Sequence, residues 1–404
     1  MIDKLIHYSI NNKLVIGVFI LALIVWGIFS ISRIPIDAVP DITTNQVQVI
    51  TQSPNLAPQE IEQYITFPLE SRLANLPEVV EIRSVSRYGL SVITVVFTDD
   101  FDTYLARQLI SEQIKFAENE IPKEFGSPQL GPNSTGLGEV YQYILTTTED
   151  CDTAYTDTEL RTINDWIVKR QLAGTPGVIE VSGWGGHLKQ YEVAINPNKL
   201  NSLEINIAQV MEAVQKNNEN LGSSYIEKKY NTYFIRGEGT VKNLEDIENI
   251  VVKNIGGIPI LIRDIAKVGY GSAPRYGALT YNATGEVVGG QTLMLKGANS
   301  YEVVQAVKER IEKIKTTLPK GLTIMPYLDR SQLIGRTINT VSTNLIEGGL
   351  IVIFVLVLLL GNLRGGLIVA SVIPLAMLFA ICLMNLFGVS ANLMSLGAID
   401  FGLI

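Results

Sequence analysis

Both ends of this chain are too apolar to fold by themselves in water. Leu14 to Ile31 is an unbroken run of 18 residues relieved only by glycine and one serine. As a helix it measures about 27 Å, enough to cross the hydrocarbon of a bilayer with little tilt. Near the other end, Gly348–Leu360 continues a helix expected from about Val341, and Leu367–Phe387 carries no charge over 21 residues. The final run, SANLMSLGAIDFGLI, opens another apolar helix at Asn392 and puts Asp400 inside it. At 1.5 Å per residue that acid lies about 12 Å in, past the headgroups. A carboxylate there costs at least about 2.5–3.5 kcal/mol, and such a group commonly marks an ion pathway or proton relay. The expected layout is a short inner N-terminus (1–12) and spans at 13–33, 331–360 and 367–388. A link at 361–366 joins the last two, and 391–404 is the start of a fourth span that the chain does not complete.

The 305 residues between Ile34 and Ile338 hold no comparable run and carry a net charge of −9, against −8 for the whole chain. A mildly acidic extramembrane section argues against nucleic acid and suits cationic cargo. Lys4, Lys13 and Arg364 flank the spans on what is then the cytoplasmic side, which places residues 34–338 outside. The segment SISRIPIDAVP has no small-x-small cleavage site, so the first run reads as an anchor, not a removed leader. Cys151 and Cys382 make no disulfide framework, and His7 and His187 are too few and too far apart for a zinc-type cluster. No Gly-Lys-Ser/Thr follows Gly183, Gly185 and Gly186, so these are turns and no nucleotide loop. With no nucleophile–base pair either, the chain does not read as an enzyme, and no cofactor is expected.

The middle section alternates strands and helices. NQVQVITQS (45–53) has strand periodicity, and a helix after Pro58 carries Ile61, Tyr64, Ile65 and Leu69 at helical spacing. Two β-rich runs joined through Tyr88-Gly89 follow, then a helix for which Asp102 is a natural N-cap. The acids Asp99, Asp100 and Asp102 admit a cation-concentrating role, but turn and capping duty is the preferred reading. Residues 61–82 align without gaps on 160–181, setting Phe67 on Trp166, Leu73 on Leu172, and Pro77-Glu78 on Pro176-Gly177. This predicts an α+β membrane protein whose outer region repeats a ferredoxin-like βαβ module. The first copy spans 34–135. The second, 136–182 and 276–330, is split by an inserted subdomain at 183–275, in which 206–218 reads as a helix and YFIRGEG and IVVKN as strands.

The stretches RIPIDAVPDI, GPNSTGLGEVYQY (131–143), GGHLKQYEV (185–193), LDRSQLI (328–334), NLIEGGLIVIFVLVLLLGNLRGGLI (344–368) and NLMSLGAIDFGLI (392–404) identify a family. The chain resembles the heavy-metal efflux branch of the resistance–nodulation–division (RND) transporters, the CzcA/CusA type. It resembles the N-terminal part of such a pump, with the remaining relay acids and later spans absent. The resemblance implies a proton antiporter in the Gram-negative inner membrane, a homotrimer working with a periplasmic adaptor and an outer-membrane channel. The Asp-Phe-Gly at Asp400 falls where the family keeps proton-translocating carboxylates, and it favours divalent Co, Zn, Cd or Ni over Cu(I) or Ag(I). The metal ligands are not identified, and Met211, Met294, Met325, Met377, Met384 and Met394 read as scattered filler. Glu347 admits a water-filled vestibule or an interfacial position, and Pro374 a kink in its span. Two other readings stand beside this one. An RND pump for organic amphiphiles would carry a phenylalanine-rich pocket and paired aspartates. A membrane-anchored periplasmic ligand sensor would need no intramembrane acid.

Overall fold

The computed structural model describes residues 7–398 apart from 8, 10, 38–39, 149–154, 221, 223, 276, 284, 362, 393 and 396. Helix α1 (Lys13–Ile31) leads into a four-stranded sheet. Its strand β1 (Gln46–Gln52) precedes a composite helix α2, which runs as α-helix over Pro58–Ile61, as π-helix over Glu62–Thr66 and again as α-helix over Phe67–Leu73. Strands β2 (Val79–Arg87) and β3 (Leu90–Phe97), helix α3 (Thr103–Ala117) and strand β4 (Gln129–Leu130) complete the module, in sheet order β2-β3-β1-β4. Val47 and Val49 of β1 and Ile93, Val95 and Phe97 of β3 pack against Ile61, Ile65, Leu69 and Leu73 of α2 and Ala106, Ile110 and Ile114 of α3. Asp102 caps α3, its Oδ1 accepting from the Leu105 amide at 2.7 Å.

The buried face of α2 has a strict four-residue repeat. In an α-helix of 3.6 residues per turn such a repeat drifts about 40° per step, and a π turn takes up the drift. The same π turn corrects one expectation. Tyr64 is 41% exposed and its ring lies 5.4 Å from that of Phe125 instead of entering the core.

The second sheet begins with β5 (Glu139–Thr147) and the composite helix α4 (Asp157–Ile163, a π turn Asn164–Val168, Lys169–Leu172), followed by β6 (Val178–Trp184). The aligned positions behave alike: Leu73 and Leu172 are fully buried, while Phe67 and Trp166 are 64% and 62% exposed. Glu78 and Gly177 both adopt left-handed backbone, with φ of 60° and 78°.

Where the first module turns through Tyr88-Gly89, the second accommodates a whole unit. It contains β7 (Lys189–Ile195), α5 (Pro197–Ser202), α6 (Ile207–Lys216), β8 (Tyr225–Lys228), β9 (Asn231–Phe234), α7 (Leu244–Glu248), β10 (Val251–Ile255), β11 (Ile258–Leu261), α8 (Ile262–Ile265), β12 (Ala266–Ser272) and β13 (Leu279–Thr280). Strands β7 and β12 pair antiparallel along their whole length, and Leu200, Ile205, Val210, Ile247, Ile250, Ile262 and Ile265 form a separate core. By its contacts this unit takes in 184–288 together with 153–165, more than the 183–275 expected. The added residues are tied by the β13 pairing to Val287, by the Arg275–Glu286 ion pair and by Arg161 Nη1 donating to the Gly185 carbonyl at 3.0 Å. The YFIRGEG strand is shorter than expected, ending at Phe234, and pairs with a β8 that has no apolar alternation to reveal it.

Strand β14 (Glu286–Met294), helix α9 (Ser300–Lys315) and strand β15 (Leu322–Asp329) return to the second sheet. There β14 lies between β6 and β5, and β15 pairs with the far edge of β5. This is the strand order of the first sheet.

Helix α10 (Arg330–Leu360) grows directly from β15 and ends at Gly361 in left-handed backbone. Helices α11 (Leu363–Ala370) and α12 (Val372–Leu386) follow. The helix restarts by Leu363 and breaks at Ser371, because Pro374 has no N–H to offer the carbonyl of Ala370. Among the described residues, α1 alone is long and apolar enough to cross a membrane by itself, and Ile346–Leu359 and Val372–Leu386 are shorter apolar stretches.

Candidate functional site

The segment leaving α1 meets the segment that leads towards Asp400. Ile36 bridges to Ala391 in parallel fashion, the Asp37 amide donates to the Ala391 carbonyl at 3.1 Å, and the Ala391 amide donates to the Pro35 carbonyl at 3.0 Å. One residue on, Asn392 caps the next helical turn. Its Oδ1 accepts from the amides of Met394 and Ser395, both at 3.0 Å, while Ser395 Oγ accepts from the Asn392 amide at 2.9 Å. Below this joint α1 and α12 pack closely. A Cβ on Gly27 would stand 2.7 Å from Leu378 Cδ2, and Asn385 Nδ2 donates to the buried Ser30 Oγ at 3.3 Å.

Asp37 sits in the joint, half-buried. Burial pushes its carboxyl up; the Ser300 hydroxyl and the Arg330 guanidinium oppose the rise, and Asp41 adds to it. Ser300 opens α9 and is fully buried, and its hydroxyl has no partner at full hydrogen-bond geometry. It stands close enough to the Asp37 carboxyl to favour the ionised form.

A second polar cluster fixes the top of α10. Asp329 is its N-cap, accepting from the Ser331 amide at 3.0 Å and from Ser331 Oγ at 2.7 Å. Lys308 of α9 reaches both partners, 2.5 Å from Asp329 Oδ2 and 2.7 Å from Ser331 Oγ. Burial acts to raise the Asp329 carboxyl, but the bonds from Lys308 and Ser331 outweigh it and hold the acid below its ordinary value. Burial, then the charges of Asp329 and Glu312, push the Tyr141 phenol up to about 12. Arg330 also donates from Nη1 to the Leu137 carbonyl.

Asp400 and Cys151 lie outside the described residues. Glu347 is exposed along α10, and Asp99 and Asp100 occupy the turn before the Asp102 cap. Among the described residues no group of three or more His, Cys, Asp or Glu side chains is placed to hold a metal ion. The sequence reading did not single out Asp37, Lys308, Asp329 or Ser300. The Asp-Arg-Ser-Gln at the start of α10 is a legible N-cap signal. The other contacts join residues far apart in sequence.

Residues 5–404 match the model of the AcrB/AcrD/AcrF family. The chain belongs to that family. Within this RND family it is similar to the cobalt-zinc-cadmium resistance protein CzcA of Cupriavidus metallidurans, at 45% identity over 408 residues covering 100% of this chain and 38% of that protein. The nickel and cobalt resistance protein CnrA of the same organism is 37% identical over 432 residues, covering 100% of this chain and 40% of the relative. The cation efflux system protein CusA of Escherichia coli K12 is 36% identical over 400 residues, 99% of this chain and 38% of the relative. A crystal structure of a heavy metal efflux pump superposes with a TM-score of 0.87 at 34% identity, covering 98% of this chain and 39% of that one. The chain thus spans less than half the length of these AcrB/AcrD/AcrF relatives, and it aligns with the heavy-metal efflux branch of the RND proteins.

Proposed function

We propose that this chain forms part of a proton-driven exporter of heavy-metal cations in the inner membrane of a Gram-negative cell. Residues 34–338 face the periplasm, and divalent Co, Zn, Cd or Ni is preferred over Cu(I) or Ag(I). Asp400 serves as a proton acceptor in the membrane. The observation that carries the reading is the end-to-end similarity to cation efflux and metal resistance proteins, including the segment that places an acid at position 400. The joint between Pro35–Asp37 and Ala391 supports it, because it ties the segment that follows α1 to the segment that leads in sequence towards position 400.

The repeated strand order, the matched π turns and the paired left-handed residues Glu78 and Gly177 support an internally duplicated porter module. A duplicated module offers two similar bodies that rock against each other around a cargo path. In this reading the pump is a homotrimer with an adaptor and an outer-membrane channel. The β8–β9 hairpin supports a protein partner, since Tyr225, Ile226, Tyr233 and Phe234 are all exposed on it.

The test is metal tolerance. Cells stripped of their own exporters and expressing a full-length pump with this sequence should gain tolerance to Zn²⁺, Co²⁺ or Cd²⁺, with little change towards Ag⁺ or Cu⁺. Tolerance gained only towards Ag⁺ and Cu⁺ would reverse the metal preference. Tolerance gained only towards organic amphiphiles would overturn the reading.

A further inference from the structure

Lys296 lies between β14 and α9 of the second module, where residues 294–296 run against the 131–138 segment that joins the two modules. The Met294 amide donates to the Gly138 carbonyl at 2.7 Å and the Lys296 amide to the Asn133 carbonyl at 3.1 Å. Ser134 Oγ donates to the Met294 carbonyl at 2.9 Å. The joining segment is tied in turn to β1, where the Gly131 amide donates to the Gln48 carbonyl at 2.8 Å. The Lys296 side chain closes this circuit. Its Nζ donates to Asn45 Oδ1 at 3.2 Å and to Thr103 Oγ1 at 3.4 Å. One ammonium of the second module thus meets the residue before β1 and the first residue of α3.

Asn45 does not depend on that ammonium. It is only 5% exposed, yet its Nδ2 donates to the carbonyls of Thr98 at 3.1 Å and Phe101 at 2.6 Å. Its Oδ1 also accepts from Thr103 Oγ1 at 2.8 Å, so all three of these bonds stay within the first module. Lys296 is half-buried and, among the described residues, has no carboxylate partner. Withdrawing it strands no buried amide, and water can take over the bonds of a well-hydrated ammonium. A buried ion pair in its place would behave otherwise, because parting it leaves an uncompensated charge. We propose that Lys296 is a positioning residue, a releasable clasp that holds the first module on the second and lets go when the two move apart during transport. The proposal rests on the transport reading above and adds to it a named contact that must open.

The experiment uses the full-length pump carrying this sequence in proteoliposomes. Amide hydrogen exchange reads whether Lys296 holds the modules together. In Lys296→Met the seam amides, at Gly131 and position 296, should exchange several-fold faster. The Phe97 amide, bonded to the Asn45 carbonyl inside the first module, should keep its protection. Lys296→Arg retains charged donors and should restore the seam. Unchanged seam amides, or protection lost uniformly through both modules, would overturn the proposal. Zn²⁺ flux under a proton gradient reads whether the clasp opens. With the other cysteines replaced by serine, Thr103→Cys and Lys296→Cys are joined by a short bifunctional thiosulfonate. The linked pump should lose most of its flux and regain it on reduction with dithiothreitol. Undiminished flux in the linked pump would show that the clasp need not open, and the proposal would fall. An unlinked pump that moves no cation would instead retire the transport reading, and the exchange measurement then decides the clasp by itself.

Discussion

Lys308 Nζ lies 2.5 Å from Asp329 Oδ2, joining α9 of the second outer module to the residue that caps the long helix α10. The Asp329 side chain is only 5% exposed and the lysine 35%. The pair therefore lies at the edge of the protein interior, where breaking it leaves an uncompensated carboxylate.

Lys308→Met is expected to destabilise the outer region by about 1–3 kcal/mol, the cost of leaving a buried acid without its cation. The double variant Lys308→Met with Asp329→Asn should recover part of that loss. Denaturant unfolding of the wild type and the three variants measures both. Because Asp329 is held below its ordinary value of 3.8, its contribution is present above that pH and disappears as the pH falls through the lower, folded value. The stability gap between wild type and Asp329→Asn should therefore close in strong acid.

Glu78 and Gly177 occupy matched turns but should respond differently to substitution. Gly177→Ala places a Cβ 2.5 Å from Val303 Cγ2 at a φ of 78° and is expected to cost about 1–3 kcal/mol. Glu78→Gly relieves a left-handed residue worth about 1 kcal/mol, offset by loss of the bond from Thr98 Oγ1 to Glu78 Oε2 at 3.2 Å. It should fall near neutral. Thermal unfolding of both variants separates the two expectations.

These turns also show what the sequence revealed. The gapless alignment of 61–82 on 160–181 paired Leu73 with Leu172 and Phe67 with Trp166, and the structure finds the members of each pair alike in exposure, because a repeated apolar pattern reports a repeated packing surface. It did not reveal the π turns, since a four-residue repeat of Ile61, Ile65, Leu69 and Leu73 passes for an ordinary helical stripe, and Tyr64 was placed on the wrong side for that reason. Capping chemistry was legible at Asp102 and Asn392, where the accepting side chain and the donating amides are three residues apart at most. The joint was not: Asp37 and Ala391 are brought together by tertiary structure alone. The β8–β9 hairpin escaped because a strand pair exposed on both faces has no alternation of polar and apolar residues to read.

Gly27 permits the close approach of α1 and α12. Gly27→Val sets branched carbon against Leu378, with the added Cβ 3.1 Å from Leu378 Cβ as well as against its flexible tip. Small residues at such crossings let helices pack in lipid. The variant should lower the melting temperature of the full-length pump in detergent, and Leu378→Ala in the same chain should restore part of it.

Serine substitution at Phe234 and Tyr233 on the exposed hairpin should leave the inserted unit folded, because neither residue contributes to its core of Leu200, Val210, Ile247, Ile262 and Ile265. It should weaken self-association of the full-length protein. Sedimentation reads the assembly and circular dichroism the fold. An unchanged oligomer would remove the hairpin from the interface.

The most direct test of the account is cation flux in proteoliposomes under an imposed proton gradient, comparing a full-length pump of this sequence with its Asp400→Asn variant for Zn²⁺, Co²⁺, Cd²⁺, Cu⁺ and Ag⁺. The account predicts divalent flux in the wild type that vanishes in the variant. Undiminished divalent flux in Asp400→Asn would contradict the assignment of this acid as the proton carrier.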